Sequence, residues 1–121
     1  MGRAPGAERF PKALRILKRR EFLDVQHKGT KVSAGPLMGL ALKNGRDVTR
    51  LGLTVSSKVG NAVVRGRIRR QLRELFRKRR DQLPRGLDVV LIARPSAKGV
   101  ASEVLAEAYE GVAGGLRRSF P

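Results

Sequence analysis

The stretch "NAVVRGRIRRQLRELFRKRRD" (61–81) carries nine Lys or Arg side chains and a single Glu before its closing Asp. Asn61 suits a helix N-cap. Val64, Ile68, Leu72, Leu75 and Phe76 follow at spacings of four, four, three and one, which describes one face of an α-helix. At about 100° per residue they fill an arc of roughly 120°. Arg69, Arg70, Arg73, Arg77 and Arg80 fall on the far side, with Arg65 at the boundary. A solvated amphipathic helix ordinarily mixes signs, because Glu–Lys pairs four apart add about 0.2–0.5 kcal/mol each. Here Glu74, four residues after Arg70, is the one internal acid. The helix accepts like-charge repulsion instead, and a phosphate-bearing partner that neutralises the face explains this better than solvent does. Eight of the nine cations are Arg, whose planar fork grips phosphate oxygens through two hydrogen bonds and stacks on exposed bases. Gly66, amid the arginines, costs about 1 kcal/mol of helix stability relative to Ala. It reads equally well as a point of close backbone approach to a sugar–phosphate chain or as tolerated drift.

The whole chain supports a polyanionic partner. Its 121 residues suit one domain with a modest core. Lys and Arg number 27 against 10 Asp and Glu, a net charge of +17, and such an imbalance usually answers to an anionic surface. Nucleic acid is favoured over a membrane, because the basic segments lack a strongly apolar opposite face with Trp anchors. The longest apolar run, "VVLIA" (89–93), falls far short of the ~20 residues of a transmembrane helix. The segment "MGRAPGAERFPK" (1–12) has no apolar stretch of a secretory signal and no Ser or Thr at position six for myristoylation. There is no Cys, hence no disulfide, thiolate metal site or Cys nucleophile. A cytoplasmic protein is expected.

Residues 1–12, with Gly2, Pro5, Gly6 and Pro11 among charges, are expected to form a flexible basic tail, and residues 13–121 a single domain. "KRREFLDVQHKG" (18–29) reads as a short helix with Phe22, Leu23 and Val25 on its apolar side and Gly29 as its C′ residue. "PLMGLALKNGRDVTRLGLTVSS" (36–57) reads as two strands around an Asn44-Gly45 turn, alternating at Met38, Leu40 and Leu42 and again at Leu51, Leu53 and Val55. "KVSA" (31–34) adds a short strand before them. After the basic helix, ended by Pro84 and Gly86, "LDVVLIAR" (87–94) is a strand covered on both faces. "ASEVLAEAYEGV" (101–112) is a helix with Val104, Leu105, Ala108 and Val112 turned inward. The order of elements predicts an α+β sandwich of helices on a small sheet.

With these residues in place, "KVGNAVVRGRIRRQLRELFR" (58–77) resembles the signature of the bacterial ribonuclease P protein family. Lys58, Gly60, Asn61, Ala62, Val63, Arg65, Arg67, Ile68, Arg69, Arg70, Leu72, Arg73 and Phe76 match its pattern, and Gly66 stands where the family has Asn. "RFPKALRILKRREF" (9–22), "RLGLTVSSKVGNAV" (50–63) and "LDVVLIAR" (87–94) extend the likeness over roughly residues 9–118. The resemblance implies an α-β-β-β-α-β-α fold with a left-handed β-α-β crossover and a mixed sheet. It also implies a protein cofactor of a ribozyme, partnered by the ribonuclease P RNA subunit and precursor tRNA, in which the RNA cuts away the 5′ leader. Mg²⁺ would then act through the RNA subunit, with no protein-bound cofactor. Lys58, Asn61, Arg65, Arg67, Arg69, Arg70, Arg73 and Arg77 become the expected RNA-binding residues. Phe22, Gln26 and Leu40 become the expected leader-binding cleft, with Gln26 and Leu40 at or near positions where some relatives carry aromatics.

The residues themselves point to a binder rather than a protein nuclease, which needs a general base or a metal cage. His27 is the only His and reads as a surface residue. Asp47 suits a turn, and Asp88 opens an apolar strand. Glu103, Glu107 and Glu110 share a helical face, which reads as solvated rather than as a metal site. "GNAVVRG" (60–66) lacks the P-loop pattern. Two rivals remain: a structural protein of the ribosomal type that binds RNA without assisting turnover, and an autonomous metal-dependent nuclease built on the Glu103–Glu110 face.

Overall fold

A computed structural model describes residues 12–121; the expected tail, apart from Lys12, lies outside the described residues. Lys12 itself opens a 3-10 turn, Lys12–Leu14. Helix α1 (Arg19–Lys28) is followed by strands β1 (Thr30–Ala34), β2 (Leu37–Lys43) and β3 (Arg50–Val55). Helix α2 (Ala62–Arg79) runs into a 3-10 turn at Arg80–Gln82, strand β4 (Leu87–Ala93) follows, and helix α3 (Ser102–Ser119) closes the order. This is the expected α-β-β-β-α-β-α sequence, folded as an α+β sandwich.

The four strands lie in the order β1-β2-β4-β3. β4 is antiparallel to β2, with Leu40 opposite Val90, and parallel to β3, with Gly52 opposite Val90. Its apolar run explains the central position: only Ile92 of its seven residues escapes full burial, so both faces need cover. Val89, Leu91 and Ala93 pack into a core shared with α2 and α3, whereas Val90 and Ile92 join Ile16, Val25 and Leu40 under α1. The sheet is therefore sandwiched, with α1 on one face and α2 and α3 on the other. Each fully buried Leu or Phe in these layers, such as Leu72, Phe76 and Leu91, adds about 1.5–3 kcal/mol. The outer edge of β3 is partly closed by the chain before α1, where the Ile16 amide donates to the Leu51 carbonyl at 3.0 Å.

Four local expectations need correction. The Asn44-Gly45 turn does not join a hairpin: β4 inserts between β2 and β3, and residues 44–49 bridge over its start. The true hairpin is β1–β2, turning at Gly35 with φ of 54°. Gly29 caps α1 in an extended rather than left-handed conformation, with φ of −73°. Its small size is needed because a Cβ would strike the Val25 carbonyl and lie about 3 Å from the Ala41 backbone. Helix α3 runs seven residues past Val112. Gly111 and Gly115 let it settle on β1 against Ala34 and Val32. Its inward face is Leu105, Ala108, Tyr109, Val112, Ala113 and Leu116, while Val104 is exposed.

Candidate nucleic-acid interface

The basic helix is entered through a tight loop. Val59 is fully buried, and the Asn61 side chain accepts a hydrogen bond from the Val64 amide at 3.0 Å, which satisfies one of the free donors of the first turn. Asn61, itself exposed, thus holds the helix start. Arg65 folds back, its Nε donating to the Gly60 carbonyl at 3.2 Å, and is half-buried. These contacts fix Lys58, which is exposed, beside the positive end of the helix dipole.

Ile68, Leu72 and Phe76 anchor α2 in the core, and Val64 and Leu75 pack against it. Burying that stripe turns Arg67, Arg70, Arg73 and Arg77 outward, where all four are exposed. Arg69 is half-buried, its Nη2 3.5 Å from the Val55 carbonyl. Glu74 does not pair with Arg70. It accepts from Arg77 Nε at 3.1 Å and lies 3.5 Å from Lys78 Nζ; the Arg77 bonds foremost hold its carboxyl below the usual range. Among the described residues no carboxylate pairs with Arg67, Arg70 or Arg73. The expected RNA-binding arginines therefore divide: Arg77 has an acid beside it, Arg65 and Arg69 reach backbone carbonyls before the helix, and Arg67, Arg70 and Arg73 present charge with no acid beside it among the described residues.

Beside this helix, on the other face of the sheet, α1 and β3 form an open groove lined by Leu17, Arg19, Phe22, Leu23, Gln26 and Thr54. The Phe22 ring lies directly over Gly52, where a Cβ would come within 2.6 Å of two ring carbons. That missing side chain is what lets the ring settle on β3 while remaining only half-buried. Phe22 and Gln26 stand in the walls, as the resemblance implies. Leu40 does not reach the opening: at 5 % exposure it packs with Ile16, Val25 and Val90 beneath α1, and so supports the floor.

A buried ionic cluster holds this groove together. Arg50, at the start of β3, donates through Nε and Nη2 to the Asp88 carboxylate at 2.8 and 2.7 Å, and through Nη2 to Glu21 of α1 at 3.0 Å. Asn44 Nδ2 adds a bond to Asp88 at 2.9 Å. Burial alone would raise the Asp88 pKa, but the bonds from Arg50 and Asn44 outweigh it and hold the carboxyl below its ordinary value. The cluster ties α1 to β3 and β4. Sequence reading passed it over, although charged residues opening two otherwise apolar strands, "RLGLTV" (50–55) and "LDVVLIA" (87–93), were a usable signal.

The remaining candidates for protein chemistry do not assemble. His27 is exposed at the end of α1. Glu110 pairs with Arg79 of α2, and among the described residues no group of three or more His, Asp and Glu is placed to hold a metal ion. Among the described residues no helix is long and apolar enough to cross a membrane.

These parts define a class: a small α+β sandwich with an uncompensated arginine face on one side of its sheet and a half-apolar groove on the other. Comparison with known proteins narrows it. A family model described as Ribonuclease P matches residues 10–116. The ribonuclease P protein component of Gluconacetobacter diazotrophicus is 42% identical over 111 residues, 90% of each chain. That of Desulforapulum autotrophicum is 42% identical over 89 residues, 74% of this chain and 76% of the relative. Among solved structures, the Staphylococcus aureus RNase P protein superposes with a TM-score of 0.77 at 34% identity, covering 84% of this chain and 93% of that one. The RNase P protein from Thermotoga maritima gives 0.75 at 31% identity, covering 86% and 96%. The chain belongs to the ribonuclease P protein family.

Proposed function

We propose that this chain is the protein cofactor of a ribonuclease P ribozyme, acting in tRNA 5′-end maturation in the cytoplasm. The observation that carries the reading is the face of Arg67, Arg70 and Arg73, which lacks acidic partners among the described residues and adjoins the Lys58–Asn61 loop. Each arginine that neutralises a phosphate releases counterions and strengthens binding at low salt, so this face takes the RNA subunit. The groove between α1 and β3 takes the single-stranded leader. Phe22 supplies a ring on which a base stacks, an interaction of about 1–3 kcal/mol. Gln26 and Thr54 offer hydrogen bonds, and Arg19 a charge for the phosphate chain. Mature tRNA has no leader, so the groove favours precursor over product.

Bond cleavage falls to the RNA subunit and the Mg²⁺ it holds. The protein's part is to bind and orient: its described carboxylates are committed to Arg50, Arg77 and Arg79 or stand singly. Processing of a precursor tRNA by a bacterial ribonuclease P RNA at low Mg²⁺, with and without this protein, tests the proposal. Stimulation of leader removal is expected. Binding to ribosomal RNA without stimulation would select the structural rival, and cleavage by protein freed of RNA would select the nuclease.

A further inference from the structure

The groove under Phe22 does not end at Leu17. On the far side of that side chain a second open hollow lies between the chain entering α1 and the loop before β3, bounded by Leu17, Lys12, Lys18, Arg46 and Val48. Leu17 lines both hollows. It is 60% exposed and Val48 is 42% exposed. Single exposed apolar side chains are ordinary, but these two face one depression, with Lys12, Lys18 and Arg46 around it and the buried Arg50 in its wall. Its only carboxylate, Glu21, shares Arg50 with Asp88, a cluster of net −1, so Lys12, Lys18 and Arg46 still leave the hollow a positive balance. Apolar side chains between separated cations suit a nucleic-acid single strand, whose bases shed water onto the former while its phosphates meet the latter.

Position along β3 gives the hollow its place. Thr54 lines the first groove and Arg50 the second, four residues apart on an extended strand, or about 13 Å. Beyond Val55 the same strand leads to Lys58 and the capped start of α2. The Lys58 loop, the Phe22 groove and the second hollow thus follow one another along β3.

We propose that the second hollow is a binding site for single-stranded RNA, taking the leader nucleotides upstream of those in the Phe22 groove. This rests on the reading of that groove as the leader site. Leader affinity should accordingly grow in two steps as the leader lengthens, the first governed by Phe22 and the second by Arg46 and Val48.

The test uses holoenzyme reconstituted with a bacterial ribonuclease P RNA and a series of precursor tRNAs whose leaders lengthen one nucleotide at a time. An Arg46→Ala/Val48→Ala double variant changes two exposed side chains and leaves the backbone bond from the Arg46 amide to Asn44 in place. It should bind mature tRNA and short-leader precursors as the wild type does, and lose about fivefold in affinity only for long leaders. Its slope of log affinity against log salt for long leaders should fall by about 0.7, the value for one contact to a single strand. Retention of the long-leader step in the double variant overturns the proposal and leaves the hollow to another occupant, such as residues 1–11. Equal losses for mature tRNA overturn it too, since the hollow would then touch the RNA subunit or the tRNA body. A Phe22→Ala variant run in parallel separates the two readings: if it leaves the short-leader step intact, the leader-groove assignment itself fails.

Discussion

Arg50 and the arginines of α2 put one side chain to opposite uses. Arg50 is 7% exposed and shares its guanidinium between two carboxylates from different elements. Arg67, Arg70 and Arg73 stand in solvent without an acid among the described residues. The first arrangement trades the hydration of three charges for mutual bonds, and its result is geometric: α1 is held at a set distance from β3. The second leaves its charge without an acid inside the described fold. The sign and residue type are the same, and what differs is where the chain places its few acids. With 10 acids against 27 bases, pairing two of them with Arg50 marks that position as one the fold cannot leave to solvent.

The comparison breaks most visibly at Asp88. Asp88→Asn leaves the Arg50 guanidinium buried with Glu21 alone, and removing one partner of a buried pair costs about 3–5 kcal/mol. Denaturant titration should show that loss, whereas Arg73→Ala should change stability by no more than about 0.5 kcal/mol, as exposed substitutions do. The same pair sets an acid limit. The folded-state pKa of Asp88 lies below its ordinary value of 3.8, so the folded chain binds that proton less readily than the unfolded one. Its contribution is whole above the ordinary value and is lost as pH falls through the folded value. Stability of the wild type should therefore drop below about pH 4, and that drop should be shallower in Asp88→Asn.

The groove that this cluster holds open is next in size. Phe22→Ala should lower holoenzyme affinity for precursor tRNA by about 1–3 kcal/mol, with affinity for the RNA subunit and for mature tRNA unchanged. Because the ring is half-buried over Gly52, its stability loss should fall short of the about 3–5 kcal/mol typical of a fully buried Phe. Equal weakening for precursor and mature tRNA would place the ring in the core only. Smaller again is the effect on the arginine face. Arg70→Ala and Arg73→Ala should each reduce the slope of log affinity for the RNA subunit against log salt by about 0.7–0.9. Arg77→Ala should change it less, since Glu74 already offsets that charge. Three equal slopes would erase the distinction between compensated and free arginines.

How much of this was readable beforehand divides along the range of the interactions. Local ones were plain. The period of Val64, Ile68, Leu72 and Phe76, the Asn61 cap and the apolar run of β4 identify elements that the structure contains. Long-range ones were not. Nothing local to "KNGRDVTR" (43–50) says that β4, almost 40 residues on, will pass between the strands it joins. An Asn-Gly pair signals a turn but not its partner. The seating of α3 is long-range too: Gly111 and Gly115 are poor helix formers by propensity, yet their lack of a side chain is what seats the helix on Ala34 and Val32. Leu40 shows the limit of inference by resemblance. Named for the cleft by likeness alone, it is buried with Val25 and Val90 and does not line the opening.

Gly66 offers the smallest effect and the finest discrimination. Gly39, Gly52 and Gly115 each have a neighbour that a Cβ would strike, but at Gly66 nothing lies within 4 Å of one. The fold therefore supplies no packing reason for glycine in the middle of a helix, where it costs about 1 kcal/mol relative to Ala. A reason outside the fold remains, since a bare backbone beside Arg65 and Arg67 lets a sugar–phosphate chain come closer than a methyl would allow. Gly66→Ala should then raise the thermal midpoint of the free protein, by an amount equivalent to about 0.5–1 kcal/mol, while lowering affinity for the ribonuclease P RNA. The opposed signs are the signature, because an ordinary stabilising substitution has no cause to weaken binding. A stabilised variant that binds the RNA as tightly as the wild type would make Gly66 tolerated drift, and would confine the interface to the arginine side chains.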